Sequence, residues 1–282
     1  MRIKPQEFYR DLQVLFRKSI RKLFQFVLRK NLDIKNTHAG DTCYLICDGG
    51  SLKYFDLSKF GDYKSLVSSA VPLHKEFQFL DPLYYVQPEP FLYWPSVRKG
   101  RFVSLAARRK LQQIYSPFRL NSLGTSSILS LTNWPFTFSS QSLYFMDDFY
   151  DKELSDHFIT KQVDGFSGTL STMISYAIYM GFTRAYLIGC DYTQVPSKSG
   201  HWYETGIDVE TDQSNYLKEF LTLASEEIEL ITVTPNSTIK GLYIKHITYS
   251  ELTGCQPMFR ENYELMDEEN LRILRMQSQY KV

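Results

Sequence analysis

The chain has 282 residues, 43% hydrophobic and 22% charged, with a formal net charge of +1. That length suits one large domain with appendages, and the near-neutral balance excludes the broadly basic surface of a nucleic-acid binder. The sum hides an asymmetry: residues 1–30 carry nine Lys/Arg against two Asp/Glu, a local +7 that leaves −6 for the remainder.

The N-terminal stretch, residues 5–30, reads as a helix. Phe8, Leu12, Leu15, Phe16, Ile20, Leu23, Phe24, Val27 and Leu28 fall on one stripe, with Arg10, Arg17, Lys18, Arg21 and Lys22 around the rest. Such a stripe either docks on the protein's own core, the commoner fate of an amphipathic helix, or lies on an anionic membrane surface. No run of about 18 apolar residues marks a membrane span. The first residues lack the apolar core and cleavage site of a signal peptide. The expected setting is therefore cytoplasmic, with the inner-membrane surface as a candidate dock for residues 5–30.

Next comes "DTCYLICDGGS", Asp41 to Ser51, an apolar strand that runs into an acid, two glycines and a serine. "SLKYFDLSKF" reads as the start of a helix or a short turn. "PLYYVQPEPFLYWP" reads as a short buried strand followed by a proline-broken loop, and residues 101–115 as a helix. Residues 116–142 read as short strands and loops. "MDDFYD" offers Asp147, Asp148 and Asp151 as metal ligands, although an acidic surface turn is the commoner meaning of such a run.

"GTLSTMISYAIYMGF" predicts a helix stopped by Gly181. "RAYLIGC" has no polar alternation and so predicts a strand buried on both faces. "DYTQVPSKSGHWYETG" is a polar loop, and a helix from Ser214 to Glu227 precedes a third buried strand, "IELITVT", which ends in "PNS". The tail from Glu261 to Val282 reads as helical. Strand, helix and strand in alternation predict an α/β fold with a mostly parallel, Rossmann-like sheet.

In such sheets ligands bind beyond the carboxyl ends of the strands. Three polar clusters fall there: Asp48-Gly49-Gly50-Ser51, Asp191-Tyr192 and Asn236-Ser237. A glycine turn lets a backbone approach a ligand, and the amides of Gly50, Ser51 and Leu52 are candidate phosphate donors. The alternative is a tight turn that holds nothing. The chain has no G-x-G-x-x-G, no P-loop and no G-x-S-x-G elbow. His201 lies between glycines in the loop after Asp191, the arrangement of a flap whose imidazole could take a hydroxyl proton near neutral pH. A solvated loop histidine fits the same pattern. His38, His74, His157 and His246 lack a comparable context. The four cysteines, Cys43, Cys47, Cys190 and Cys255, form no C-x-x-C pair and read as free thiols.

Taken in order, "HAGDTCYLICDGGSLKYFDLSKF", "PLYYVQPEPF", "GTLSTMISYAIYMGFTRAYLIGCDYT" and "VTPNS" resemble a bacterial and archaeal group over roughly Thr37 to Glu251. The group includes the CMP-sialic-acid sialyltransferases of glycosyltransferase family 42 and the 6-hydroxymethylpterin diphosphokinase-like proteins. The resemblance implies a variant GT-A, Rossmann-like transferase domain over residues 34–260. A lid spans 192–212, a basic helix 1–33 precedes the domain, and a helical tail 261–282 follows it. It implies an inverting, metal-independent glycosyltransferase that moves a sugar from a CMP-type donor to a bacterial surface glycan, with His201 as general base. The implied donor site is Asp48, Gly49, Gly50, Ser51, Thr169, Asp191, Tyr192, Asn236 and Ser237, with Trp202 and Tyr203 stacking on ligand rings from the lid. The implied alternatives are pterin diphosphoryl transfer, with magnesium on Asp147, Asp148, Asp191 or Glu204, and a catalytically degenerate nucleotide-sugar binder. Homo-oligomerisation is left open. The chain departs from the group's pattern at the glycine turn, with Asp48 for asparagine and Gly50 for proline. It also has "LVSSAV" where an asparagine is usual and "VDGFSG" where family 42 carries an arginine.

Overall fold

The computed structural model describes residues 33–87, 121–124, 169–196, 198–205, 209–210 and 217–277. The basic N-terminal stretch, the 101–115 segment, Asp147, Asp148 and Asp151 lie outside them.

Seven strands form one sheet: β1 Thr42–Ile46, β2 Lys64–Ser68, β3 Asp81–Gln87, β4 Asn121–Gly124, β5 Arg184–Ile188, β6 Glu229–Thr234 and β7 Lys245–Thr248. Every neighbouring pair is parallel, in the order β7-β6-β5-β1-β2-β3-β4. The order runs outward from β1 in both directions, so the chain reverses its winding between β1 and β5. That is the topological switch point of a doubly wound sheet.

The strands alternate between two apolar faces, which is why β1 and β5 read as unbroken apolar runs. Cys43, Leu45, Ala185 and Leu187 join one core with α1 (Thr169–Met180) and α2 (Lys218–Glu227). Tyr44, Ile46 and Ile188 join the other, beneath the short helical turns Gly50–Tyr54 and Leu57–Phe60 and the C-terminal helices α3 (Tyr249–Thr253), α4 (Asn262–Leu265) and α5 (Glu268–Gln277). Each fully buried Leu or Ile stabilises by about 1.5–3 kcal/mol before entropy is charged against it.

The helix predicted from "GTLSTMISYAIYM" is α1, and its end has a specific cause. Gly181 takes φ +88, a left-handed conformation. The N–H groups of Asn36, His38 and Gly40 then donate to the carbonyls of Tyr179, Met180 and Gly181, so residues 36–40 close the helix terminus. Because α1 leads directly into β5, its N-terminal residue Thr169 stands at the carboxyl edge of the sheet, half-buried. Cys43, Cys47, Cys190 and Cys255 are free thiols, the first three buried.

Of the two readings of "SLKYFDLSKF", a helix start or a short turn, the structure has the turn, as two short helical turns at Gly50–Tyr54 and Leu57–Phe60. The loop after Asp191 is also more built than a coil: Gln194–Val195 pairs with Lys240–Gly241, and Lys198–Ser199 with Val209–Glu210, both antiparallel. No helix among the described residues is long and apolar enough to cross a membrane.

Candidate functional site

The turns after β1 and β5 meet at the switch point, and they meet backbone to backbone. Gly49 N–H donates to Gly189 O at 2.8 Å. A Cβ on Gly49 would lie 2.5 Å from Gly189 O and 2.7 Å from Asp191 Cγ; one on Gly189, at φ +65, would lie 2.5 Å from Cys47 O. Both glycines are therefore required by chain packing. The gap left by the missing Cβ at Gly49 is filled by the chain itself.

Asp191 completes this junction. Its buried carboxylate accepts Ser51 N–H at 2.9 Å and the Ser51 hydroxyl. The expected phosphate cradle is corrected here: Ser51 N–H is engaged by Asp191, and Leu52 N–H donates to Gly49 O at 3.1 Å. An internal carboxylate occupies the place imagined for an anion. The Gly50–Tyr54 turn is also too short to carry a helix dipole.

His201 is brought onto this junction by main-chain pairing. A single antiparallel bridge joins it to Gly49, and Trp202 N–H donates to Asp48 O at 3.1 Å. The imidazole is held between two carboxylates. Nδ1 lies 2.7 Å from Glu204 Oε1, and Nε2 lies 3.8 Å from Asp48 Oδ2. Burial alone would lower its proton affinity. The charge of Asp48, the hydrogen bond and charge of Glu204, and the charge of Asp191 outweigh burial and raise its pKa above the ordinary histidine value. The ring stacks on Tyr203 at 5.0 Å and 22°. Its side chain keeps 26% exposure.

The segment around His201 is not a loose flap. Lys53 Nζ donates to Glu204 O at 2.7 Å, and Asn262 Nδ2 donates to Tyr203 O at 2.9 Å. The Trp202 indole is fully buried, packed against His74 with ring centroids 4.9 Å apart. His74 is buried too, and desolvation pushes its pKa down to about 3, with Arg260 adding to the effect, so it stays neutral. The stacking role expected of Trp202 is corrected accordingly: its faces are covered by the protein, and it anchors the segment. Tyr203, 7% exposed, has its ring against His201 and Trp202.

The remaining candidates separate by position. Tyr192, next to Asp191 in the chain, is 39% exposed. Asn236 and Ser237 lie at the same edge of the sheet, beyond β6, and are exposed. The Asn236 side chain accepts from Thr238 N–H and its hydroxyl, at 3.1 and 2.6 Å, closing a local turn. Thr193 and Gln194 tie that end of β6 to the Asp191 turn through Thr232 Oγ1 at 2.7 Å and Val233 O at 3.1 Å. Among the described residues, the cluster around His201 includes Asp48, Gly49, Asp191, Tyr203 and Glu204. No group of three or more metal-ligating side chains occurs among the described residues.

Sequence reading missed Glu204 as a partner of His201, although a carboxylate three residues after a histidine in a turn was a readable signal. It also missed Lys53 and Asn262, whose partners are 151 and 59 residues away and leave no local pattern.

The fold and site define a doubly wound parallel α/β domain with a histidine–carboxylate pair at its switch point. No family model and no curated protein matches the chain. Among solved structures it is similar to the sialyltransferase CstII from Campylobacter jejuni in complex with cytidine-5'-monophosphate, at 13% identity over 85% of this chain and 99% of that one, TM-score 0.44. The same sialyltransferase with CMP-3FNeuAc gives 13% identity over 84% and 99%, TM-score 0.40. MAf glycosyltransferase from Magnetospirillum magneticum AMB-1 gives 13% identity over 89% of this chain and 41% of that one, TM-score 0.42.

Proposed function

We propose that this chain is an inverting glycosyltransferase that moves a sugar from a nucleotide donor, of the CMP type, to an acceptor hydroxyl. The observation that carries the reading is the His201–Glu204 pair, main-chain bonded onto the glycine turn at the switch point of the sheet. A histidine whose Nδ1 is held by a carboxylate is oriented for proton transfer through Nε2 and stabilised once it becomes imidazolium.

In this reading the acceptor hydroxyl gives its proton to His201 Nε2 as its oxygen attacks the anomeric carbon. The bond from that carbon to the donor phosphate breaks, and its electron pair leaves on the phosphate oxygen. Glu204 and Asp48 both favour the imidazolium that results. Configuration inverts because attack and departure lie on opposite faces of the sugar. A CMP leaving group already carries its charge, so the step is written without a metal.

Donor contacts are assigned to residues that remain accessible at the carboxyl edge: Asp48 on hydroxyl groups, which a carboxylate accepts from and a phosphate would not supply, with Thr169, Tyr192, Asn236 and Ser237 around them. Gly49, Gly50, Ser51 and Asp191 shape the turn that positions Asp48 and His201. Residues 5–30 are proposed to hold the protein at an anionic membrane surface, where a lipid-linked bacterial surface-glycan acceptor would lie. The magnesium-dependent diphosphoryl transfer reading draws less support, since the Asp191 carboxylate is already engaged by both Ser51 donors.

The Glu204 pairing gives a test with a defined sign. The base works when deprotonated, so kcat/KM should fall as pH drops through the raised His201 value. Glu204→Gln removes a cause of the rise. Its acid limb should move to lower pH, and its rate on the plateau should drop by at least about tenfold as the ring loses its orienting partner. An acid limb that stays in place in Glu204→Gln would separate His201 from the proton transfer.

A further inference from the structure

Lys53 is a buried cation with an unusual set of partners. It follows the glycine turn directly, and only 3% of it is exposed. Its ammonium donates to the main-chain oxygen of Glu204 at 2.7 Å and lies 5.8 Å from the centre of the Phe259 ring. No carboxylate pairs with it among the described residues. Burying an ammonium without a carboxylate partner costs more than burying a methionine of the same length, so packing alone does not account for a lysine here.

We propose that Lys53 is a positioning residue for His201: by holding the Glu204 carbonyl, it fixes the Glu204 carboxylate on His201 Nδ1. The chain of contacts is short. Glu204 is held at its carbonyl by Lys53, at its N–H by His201 O at 2.9 Å, and at its carboxylate by the imidazole at 2.7 Å. Of these, the Lys53 bond is the one that ties Glu204 to a different segment. Asn262 holds the preceding carbonyl, of Tyr203, from the C-terminal side. Lys53 is itself seated by that side, since Arg260 N–H donates to Lys53 O at 2.9 Å. Two successive carbonyls of the histidine segment are thus pinned by two buried side chains from opposite ends of the domain.

The inference rests on His201 being the working base for its consequence in turnover, but its test does not need turnover. Among the described residues, the groups that face His201 include Asp48 from the turn after β1, Asp191 from the turn after β5, and Glu204 and Tyr203 from its own segment, with Lys53 behind Glu204. Two roles for Lys53 therefore differ in sign. If the ammonium acts only as a nearby cation, removing it makes the imidazole easier to protonate and its titration midpoint rises. If it positions Glu204, removing it lets the carboxylate leave and the midpoint falls.

The experiment is an NMR titration of the full chain labelled with 15N-histidine, with the His201 signal assigned by its loss in His201→Ala. Lys53→Met is expected to move the His201 midpoint down, to where Glu204→Gln places it, and the double variant is expected to match Glu204→Gln alone. A midpoint that stays or rises in Lys53→Met, or effects that add in the double variant, would overturn the proposal. Should Lys53→Met fail to fold, the wild-type chain uniformly labelled with 15N and 13C decides. Its Lys53 ammonium is expected as a slowly exchanging 15N signal with a coupling across the hydrogen bond to Glu204 carbonyl carbon, and a rapidly exchanging, freely rotating ammonium would refute the assignment.

Discussion

Replacing His201 with alanine is expected to lower the transfer rate by about a hundredfold to ten-thousandfold, the usual contribution of a positioned general base. The fold and the affinity for nucleotide should survive. The reason lies in how the segment is held. The anchoring indole is Trp202, fully buried, and the ties to Gly49, Asp48, Lys53 and Asn262 run through the main chain or through other side chains. His201 contributes a partly exposed ring that belongs to neither apolar core. Activity and melting temperature should therefore part company: activity collapses, and the melting temperature moves by a few degrees at most. Unchanged turnover in His201→Ala would remove the base assignment. A collapse of the fold would show that the ring is part of the packing.

Gly49→Ala is expected to act in the opposite way, through structure. The added methyl carbon would sit 2.5 Å from the Gly189 carbonyl oxygen and 2.7 Å from Asp191 Cγ. Neither neighbour is the free end of a flexible chain: one is backbone at positive φ, the other a buried carboxylate fixed by Ser51. Alanine gains about 0.4–1 kcal/mol from its less flexible unfolded state, and Gly49 has an ordinary extended conformation that alanine could adopt, at φ −66 and ψ 159. The steric term still wins, because relieving it means separating the β1 and β5 turns. A net loss of about 3 kcal/mol or more is expected, read as a shift in denaturant midpoint without a change in slope. Equal stability of Gly49→Ala and the parent chain would show that the two turns are not packed as described.

Much of the fold was legible because burial on two faces leaves a plain mark. "YLI" in β1, "AYLI" in β5 and "LITV" in β6 carry no polar alternation, and all three are interior parallel strands. The stop at Gly181 was readable for the same local reason. β7 carries no such mark: "KHIT" sits at the edge, pairs on one side and keeps its lysine and histidine exposed. At the site, the convergence of Asp48, Gly49 and Asp191 followed from strand ends meeting in a parallel sheet, whereas His201 is brought there by main-chain pairing with Gly49. The reason for the glycines did not, because the atoms that fill the missing Cβ belong to residues 140 or more positions away. For the same reason the sequence could not separate Trp202, which faces inward, from its neighbour His201, which faces out. Adjacent residues in a turn point apart, and only the core that receives one of them says which.

The claim that most of this account depends on is that a nucleotide is received at the carboxyl edge beside His201. A crystal of the full chain soaked with CMP tests it most directly. The expected result is CMP at the carboxyl edge beyond β1 and β5, with its ribose hydroxyls within hydrogen-bond distance of Asp48 and the phosphate on the exposed side of the His201 ring. CMP bound away from Asp48 and His201, or a chain that takes up no nucleotide while that edge is free of crystal contacts, would contradict it.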